Sequence, residues 1–140
     1  MEARPKTSAD LYQDVAAFCR RFRLQPTRTS FRLSPAKMAV RLKHLSEELS
    51  ELRRGVAIGD DAEVIDALVD LVYVALGTAH LCGFPFMKVW DAVHAANMKK
   101  IRATRACDSK RGSTFDVVKP KGWKKPDVAK ILRRARDNDN

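Results

Sequence analysis

The sequence has few of the residues that build disulfide-bonded or zinc-stabilised folds. Its three cysteines, Cys19, Cys82 and Cys107, are odd in number and share no short ligand spacing, so reduced thiols are the simplest interpretation. The three histidines share no metal-ligand spacing either. At 140 residues the chain is nevertheless long enough to build one apolar core.

Two other features are missing. No stretch alternates apolar and polar residues for long, so strands are expected to be minor at best. The first residues, Met-Glu-Ala-Arg-Pro-Lys, have no apolar signal core. The apolar run 64–82 has the length of a membrane span, but Asp66, Asp70 and His80 interrupt it. These observations predict an all-α, cytoplasmic protein without a membrane-spanning segment.

Acidic residues are scarce relative to basic ones. The 17 Asp and Glu face 27 Lys and Arg, which gives a net charge of +10 and suggests an anionic partner, either nucleic acid or a polyphosphate substrate. The basic residues gather in 20–32 and 99–136, and the acids gather between them. A protein that binds nucleic acid only through its overall charge would not need that separation.

Apolar residues at helical spacing predict the first two helices. Ser8 is expected to cap the first. Ser34 and Pro35 mark the start of the second, and Gly55 and Gly59 its end. The expected buried stripe of the second helix consists of Met38, Leu42, Leu45, Leu49 and Leu52.

The third helix is expected to be the central, buried one. Asp60 or Asp61 caps it, and its surface is apolar nearly all round from Val64 to Leu81. A fourth helix should run from about Pro85 to Arg102. Its inward-facing residues are expected to be Val89, Trp90, Val93 and Met98.

A short last helix, Val128 to Arg136, follows an irregular basic stretch and is capped by Asp127. The expected fold is therefore a bundle of four main helices around a central acidic hairpin, plus this C-terminal helix. We assign it to one domain over 1–140, with a core bundle at 8–102 and a basic C-terminal segment at 103–140.

Two acidic clusters lie on the second and third helices. Glu47, Glu48 and Glu51 fall within an arc of about 100° on a helix, and Glu63, Asp66 and Asp70 fall within about 60° on the next. A short connection joins the two helices, so an antiparallel hairpin would bring the clusters together. Converging carboxylates are hard oxygen ligands, which suit Mg²⁺ or Mn²⁺.

Each acidic cluster also has a structural interpretation. The three glutamates could form a solvated helix face, and the two aspartates could pair with Arg41 or Arg53. Glu63 lies in the first turn of the third helix, where the helix dipole favours an acid without any metal. Asp66, flanked by apolar residues, has no such explanation and is expected to be the better ligand.

Two further stretches could bind phosphate. Asn97 and Lys100 are three residues apart on one helix face, where the lysine could neutralise phosphate and the asparagine could bond a sugar or phosphate oxygen. The segment 119–126 sets Trp123 among basic residues. Trp123 could stack on a base, or it could fold back over the core, which we favour.

These residues resemble those of the all-α nucleoside triphosphate pyrophosphohydrolases, the MazG-type superfamily that includes phosphoribosyl-ATP pyrophosphohydrolase and the dimeric dUTPases. The run Glu-Glu-Leu-Ser-Glu at 47–51 is similar to its Glu-Glu-x-x-Glu element. Asp70 matches the aspartate of the family's Glu-x-x-Asp, although Ala67 stands in place of the glutamate. Asn97 and Lys100 match its later Asn-x-x-Lys, and the resemblance covers about residues 8–132.

The resemblance implies cleavage of a nucleoside triphosphate between its α- and β-phosphates, with Mg²⁺ as cofactor and Mn²⁺ as the alternative. It implies catalytic roles for Glu47, Glu48 and Glu51, and metal binding by these three together with Asp66 and Asp70. Asn97 and Lys100 would bind the substrate. The resemblance also implies a homodimer or a dimer of dimers, in which the central helices pack across subunits.

Two other functions remain open at this stage. A non-enzymatic helical protein that binds nucleic acid would explain the basic tail, but it would leave Asp66 and Asp70 unexplained. A family member that binds nucleotides without hydrolysing them would be consistent with Ala67 in the second element.

Overall fold

The computed structural model describes residues 5–27 and 31–138. Within these ranges the chain is mostly helical, which confirms the all-α prediction. The helices are α1 (Ser8–Arg21), α2 (Pro35–Ile58), α3 (Asp61–Leu81), α4 (Phe86–Asn97) and α5 (Val128–Asp137). A two-stranded antiparallel ribbon is formed by β1 (Ile101–Arg102) and β2 (Val117–Val118). The chain divides into two compact units, 1–84 and 85–140.

The start of α1 differs from the prediction by one residue. Thr7, not Ser8, is the N-cap: its hydroxyl accepts the Asp10 N–H, while the Asp10 carboxylate accepts the Thr7 N–H. This reciprocal pair is a capping box, which satisfies two backbone donors at once and so outweighs a lone serine cap. Val15, Ala16 and Cys19 form the buried side of α1, which packs on α3.

Helices α2 and α3 form the expected hairpin. The Ser34 hydroxyl caps α2 with Pro35 in its first turn, and Gly59 ends it in the left-handed conformation at φ 70°. Asp60 then accepts the N–H groups of Ala62 and Glu63 at the start of α3. With so short a connection the two helices run antiparallel, and they share the most extensive contact in the first unit.

The α2 face that meets α3 is rotated from the predicted stripe. Leu42 and Leu49 are 59% and 38% exposed, whereas Glu48 and Gly55 are buried. Gly55 allows this close approach, because a Cβ there would lie 3.1 Å from Val64. The side of α2 that is not exposed carries Arg41, Leu45, Glu48, Leu52 and Gly55, which recur at intervals of three and four. Leu45 and Leu52 belong to the predicted stripe, whereas the other three do not.

Most of the buried residues of α3 lie in one row, and Leu76 is buried outside it. Ala67, Val74, Gly77 and Leu81 are buried, and the half-buried Asp70 lies in the same row at the same spacing. Gly77 makes room for the guanidinium of Arg41, whose Nη2 would lie 3.1 Å from an added Cβ. Gly77 therefore permits close packing between α3 and α2.

The prediction that α3 is buried all round is wrong. Its outer face is open to solvent, with Ile65, Leu68, Val69 and Val72 each more than two-fifths exposed. Within the described residues, α3 has the length and apolar composition of a membrane span, a property that core helices of soluble proteins also have. Helix α1 borders this face with Leu11 and Val15 but leaves most of it uncovered.

The second unit begins with α4, which ends at Asn97, five residues before the predicted end. The chain then leaves the helix because Ile101 and Arg102 pair with Val118 and Val117 in the ribbon. Met98 is consequently 72% exposed, and Trp90 and Val93 are 50% and 36% exposed, so none of the three is the inward-facing residue that we expected. The last helix and its Asp127 cap agree with the prediction.

Candidate active site on the α2–α3 hairpin

Glu48 is the acid that α2 places against α3. It occupies the buried row of α2 and is only 9% exposed, although an ionised carboxylate is unfavourable in such surroundings without a partner. Its Oε1 lies 3.4 Å from the His44 Nε2, one helical turn earlier. Its Oε2 is buried and has no hydrogen-bond partner among the described residues.

The charges around Glu48 are mostly of its own sign. Burial raises the pKa of the Glu48 carboxyl above its ordinary value, and the nearby charges of Asp70 and Glu51 raise it further. Glu47 adds a smaller effect in the same direction, and His44 opposes it. The hairpin thus brings Glu48, Glu51 and Asp70 into one electrostatic cluster, as the sequence predicted.

Asp66 and Glu63 are placed differently from Asp70. Asp66 is exposed, so the expectation that it lies beside the core is wrong: Ala67, the next residue, takes the buried position. Glu63 is half-buried and forms an ion pair with Arg54 across the hairpin. The structure therefore gives Glu63 a structural partner and leaves Asp70 as the acid of α3 in the interhelical row.

The structure also tests the alternative that arginines neutralise the aspartates. Arg41 donates instead to the Thr78 hydroxyl and the Val74 carbonyl, at 3.0 Å each. Within the described ranges, neither Arg41 nor Arg53 forms an ion pair with Asp66 or Asp70. Asp70 consequently faces Glu48 without a cation from these arginines.

The acidic cluster has donors that suit a metal ion but not a ready-made set of ligands. Within residues 5–27 and 31–138, no three His, Cys, Asp or Glu side chains already stand in a geometry that could hold a metal. The chemistry nevertheless fits a hard divalent cation, since all donors are carboxylates and the buried Oε2 of Glu48 has no partner. A cation there would relieve both burial and like-charge repulsion.

The remaining candidate residues belong to the second unit. Asn97 is the exposed last residue of α4. The Nζ of Lys100 lies 5.6 Å from the centroid of the Trp123 ring, and the Trp123 Nε1–H donates to the Ala96 carbonyl at 2.7 Å. This contact is consistent with our preference for a folded-back Trp123, which packs at the end of α4.

Sequence reasoning missed the part that His44 and Arg41 play in the first unit. His44 contacts Glu48, and Arg41 fixes α2 against α3 through Thr78 and Val74. The available signal was spacing, because His44, Glu48 and Arg41 follow each other on one side of α2 at intervals of three or four.

Comparison with known proteins identifies a family for this hairpin. The family model described as phosphoribosyl-ATP pyrophosphohydrolase matches residues 15–97, which extend from within α1 to the end of α4. The match contains Glu47, Glu48, Glu51, Asp70 and Asn97, whereas Lys100 and the rest of the basic segment lie beyond it. No curated protein matches the chain. The family match indicates a hydrolase of the nucleotide pyrophosphohydrolase type.

Proposed function

The chain belongs to the phosphoribosyl-ATP pyrophosphohydrolase family, and from that premise we propose that it is a Mg²⁺-dependent nucleoside triphosphate pyrophosphohydrolase. The reaction would split the bond between the α- and β-phosphates and release a nucleoside monophosphate and pyrophosphate. The observation that supports this most strongly is the buried Glu48 carboxylate, which has an unpartnered Oε2 and faces the charges of Asp70 and Glu51.

Glu48, Glu51 and Asp70 would hold the cation, with Glu47 at the exposed edge of the same cluster. When bound, Mg²⁺ would neutralise the triphosphate charge and lower the pKa of a coordinated water. His44 would orient Glu48 through the contact between its Nε2 and the Glu48 Oε1. A glutamate of this cluster that is not a ligand would accept the proton of the attacking water as pyrophosphate leaves.

Asp66 is a weaker candidate for a metal ligand in the structure than it is in the sequence. Because it is exposed and one residue away from the buried row of α3, we leave it out of the ligand set. Ala67, which stands where the family's glutamate is expected, belongs to that row and contributes no donor. The proposed site therefore relies on the glutamates of α2 and on Asp70.

Asn97 and Lys100 would bind the substrate rather than the metal. The lysine would neutralise phosphate as a point charge, and the asparagine amide would bond a sugar or phosphate oxygen. Both side chains belong to the second unit and follow the family's Asn-x-x-Lys element, which is the reason for the assignment.

A panel of nucleoside triphosphates tests the proposed activity. With Mg²⁺ present, we expect at least one substrate to yield monophosphate and pyrophosphate in equal amounts, and chelation should stop turnover while the helical circular dichroism persists. The same assay with Mn²⁺ in place of Mg²⁺ should also show turnover. Release of orthophosphate, or full activity in excess chelator, would contradict the proposal.

We also propose that the protein is a homodimer, in which the open α3 face packs against its counterpart. A groove of about 480 Å³ lies on this face, and its lining is almost entirely apolar: Leu11, Val15, Leu68, Val69, Val72, Tyr73 and Leu76, with Asp14 at the edge. Apolar surface of this kind is usually covered in an assembly. Sedimentation velocity that finds only the 15.8 kDa chain at micromolar concentration would contradict the dimer.

A further inference from the structure

The positive charge of this protein is concentrated in its second unit. Residues 85–140 contain fifteen Lys and Arg but only six Asp, a net charge of +9, whereas residues 1–84 contribute +1. Most of this basic segment lies beyond residue 97, where the family match ends. The active site proposed for the hairpin therefore does not account for it.

A polar cavity of about 500 Å³ lies within this unit, beside the ribbon. Its lining includes Lys100, Lys110 and Lys119, and we call this cavity the lysine pocket. The cavity also contains two acids, but each already has a cation. Asp108 pairs with Arg105 at 2.9 Å. Asp116 pairs with Arg111 and accepts the Ser109 hydroxyl, contacts that hold its pKa down at about 2.

The lysines of the pocket thus lack a counter-charge. None of the three forms an ion pair with a carboxylate within the described part of the chain. Two are held in place by an aromatic ring, since the Nζ atoms of Lys119 and Lys100 lie 4.7 Å and 5.6 Å from the Trp123 centroid. The pocket therefore gathers three cations around a cavity with room for an anionic ligand.

An unusually exposed aromatic residue stands next to this pocket. Phe115 is 94% exposed, although it is flanked by the well-anchored Asp116. It lies two residues before Val117, which lines the lysine pocket. It also shares a shallow surface depression with Arg102. A phenyl ring in water beside basic side chains has the two elements of a single-strand binding surface, a stacking platform and a cationic groove.

We propose that the second unit binds single-stranded nucleic acid. Backbone phosphates occupy the lysine pocket, and an unpaired base stacks on Phe115. The phenyl ring favours single strands over duplex, because a paired base has no free face to offer it. The surface uses none of the acidic residues of the hairpin, but it shares Lys100 with the proposed substrate-binding pair, so a nucleoside triphosphate is included below as a competitor.

Fluorescence anisotropy of the full chain with labelled oligo-dT of about 20 nucleotides tests this inference, with chelator present to stop hydrolysis. Phe115→Ala should weaken binding by about 5- to 150-fold, the measured range for losing one stacked base, and leave the salt dependence unchanged. Lys110→Ala should reduce the slope of log K against log salt by about 0.7, since it removes one phosphate contact. Lys88→Ala, an exposed lysine of α4 outside the pocket, should change neither quantity.

Several outcomes would overturn the inference. These are the absence of measurable binding, an unchanged affinity after Phe115→Ala, and an unchanged salt slope after Lys110→Ala. Equal affinity for a blunt duplex of the same length would show that charge alone is responsible. Full displacement by a nucleoside triphosphate at the same phosphate concentration would instead identify the cavity as a mononucleotide site.

Discussion

Replacement of Asp70 by asparagine is expected to lower turnover of the nucleoside triphosphate by about a hundredfold or more, the scale of losing one strong electrostatic contact to the transition state. Asp70 is the acid that α3 contributes to the interhelical row, and its charge acts directly on Glu48. Asparagine keeps the shape of the side chain but removes that charge. The measurement is steady-state release of pyrophosphate at saturating Mg²⁺.

Asp66→Asn is the matched control for this change. Asp66 is the same residue type one turn earlier on the same helix, but it is exposed and outside the buried row. We therefore expect turnover to change by less than about threefold, as for a surface substitution worth no more than about 0.5 kcal/mol. If Asp66→Asn lowered turnover more than Asp70→Asn, the metal ligand on α3 would be Asp66 and not Asp70. A destabilised Asp70→Asn protein with normal turnover would make Asp70 a structural residue.

Replacement of Glu48 by glutamine should have opposite effects on activity and stability. Turnover should fall by about a hundredfold or more, because the best-buried candidate ligand loses its charge. In chelator at neutral pH the variant should melt at a higher temperature than the parent. The reason is that a carboxylate buried beside Asp70 and Glu51 destabilises the metal-free protein, and an amide does not carry that charge.

The stability gain from Glu48→Gln should depend on pH with a definite sign. The pKa of Glu48 is raised on folding, so the folded protein binds the proton more tightly than the unfolded chain does. The parent is therefore most stable below the unfolded pKa and loses stability as pH rises towards the folded pKa. The difference in melting temperature between variant and parent should shrink as the solution is acidified through this window.

Glu47→Gln provides the control for the stability measurement. Glu47 is adjacent in sequence, but half of its side chain is exposed and its partner Lys43 is 3.9 Å away. Exposed ion pairs of this kind contribute little to stability, so its melting temperature should be nearly unchanged. An equal rise for both variants would mean that net charge, and not the burial of Glu48, limits the stability of the metal-free protein.

The sequence alone determined the helices and most of their boundaries. Ser34 with Pro35, Asp60 and Asp127 are local signals, because capping involves only a residue and the backbone of the next turn. The predicted end of α4 was wrong because that end is not set by a local signal. Ile101 and Arg102 have no local stop signal, and they leave the helix to pair with a strand that lies fifteen residues further along the chain.

The sequence also determined which residues form the candidate site, but not which of them meet. Glu47, Glu48, Glu51 and Asp70 could be named from spacing and from their resemblance to the family. The choice between Asp66 and Asp70 could not be made locally, because α3 is apolar nearly all round and no face stands out. Asp66 and Asp70 are four residues apart and point only about 40° apart on a helix, so a small rotation decides which acid enters the interface.

Tertiary packing set that rotation. Gly55 and Gly77 let α2 and α3 approach closely, and Arg41 locks them by donating to Thr78 and Val74. The buried rows of the two helices consequently run through Glu48 and Asp70, while Leu42 and Leu49 turn to solvent. Apolar periodicity alone would not place a carboxylate in each row, since that arrangement is unfavourable unless a cation binds there.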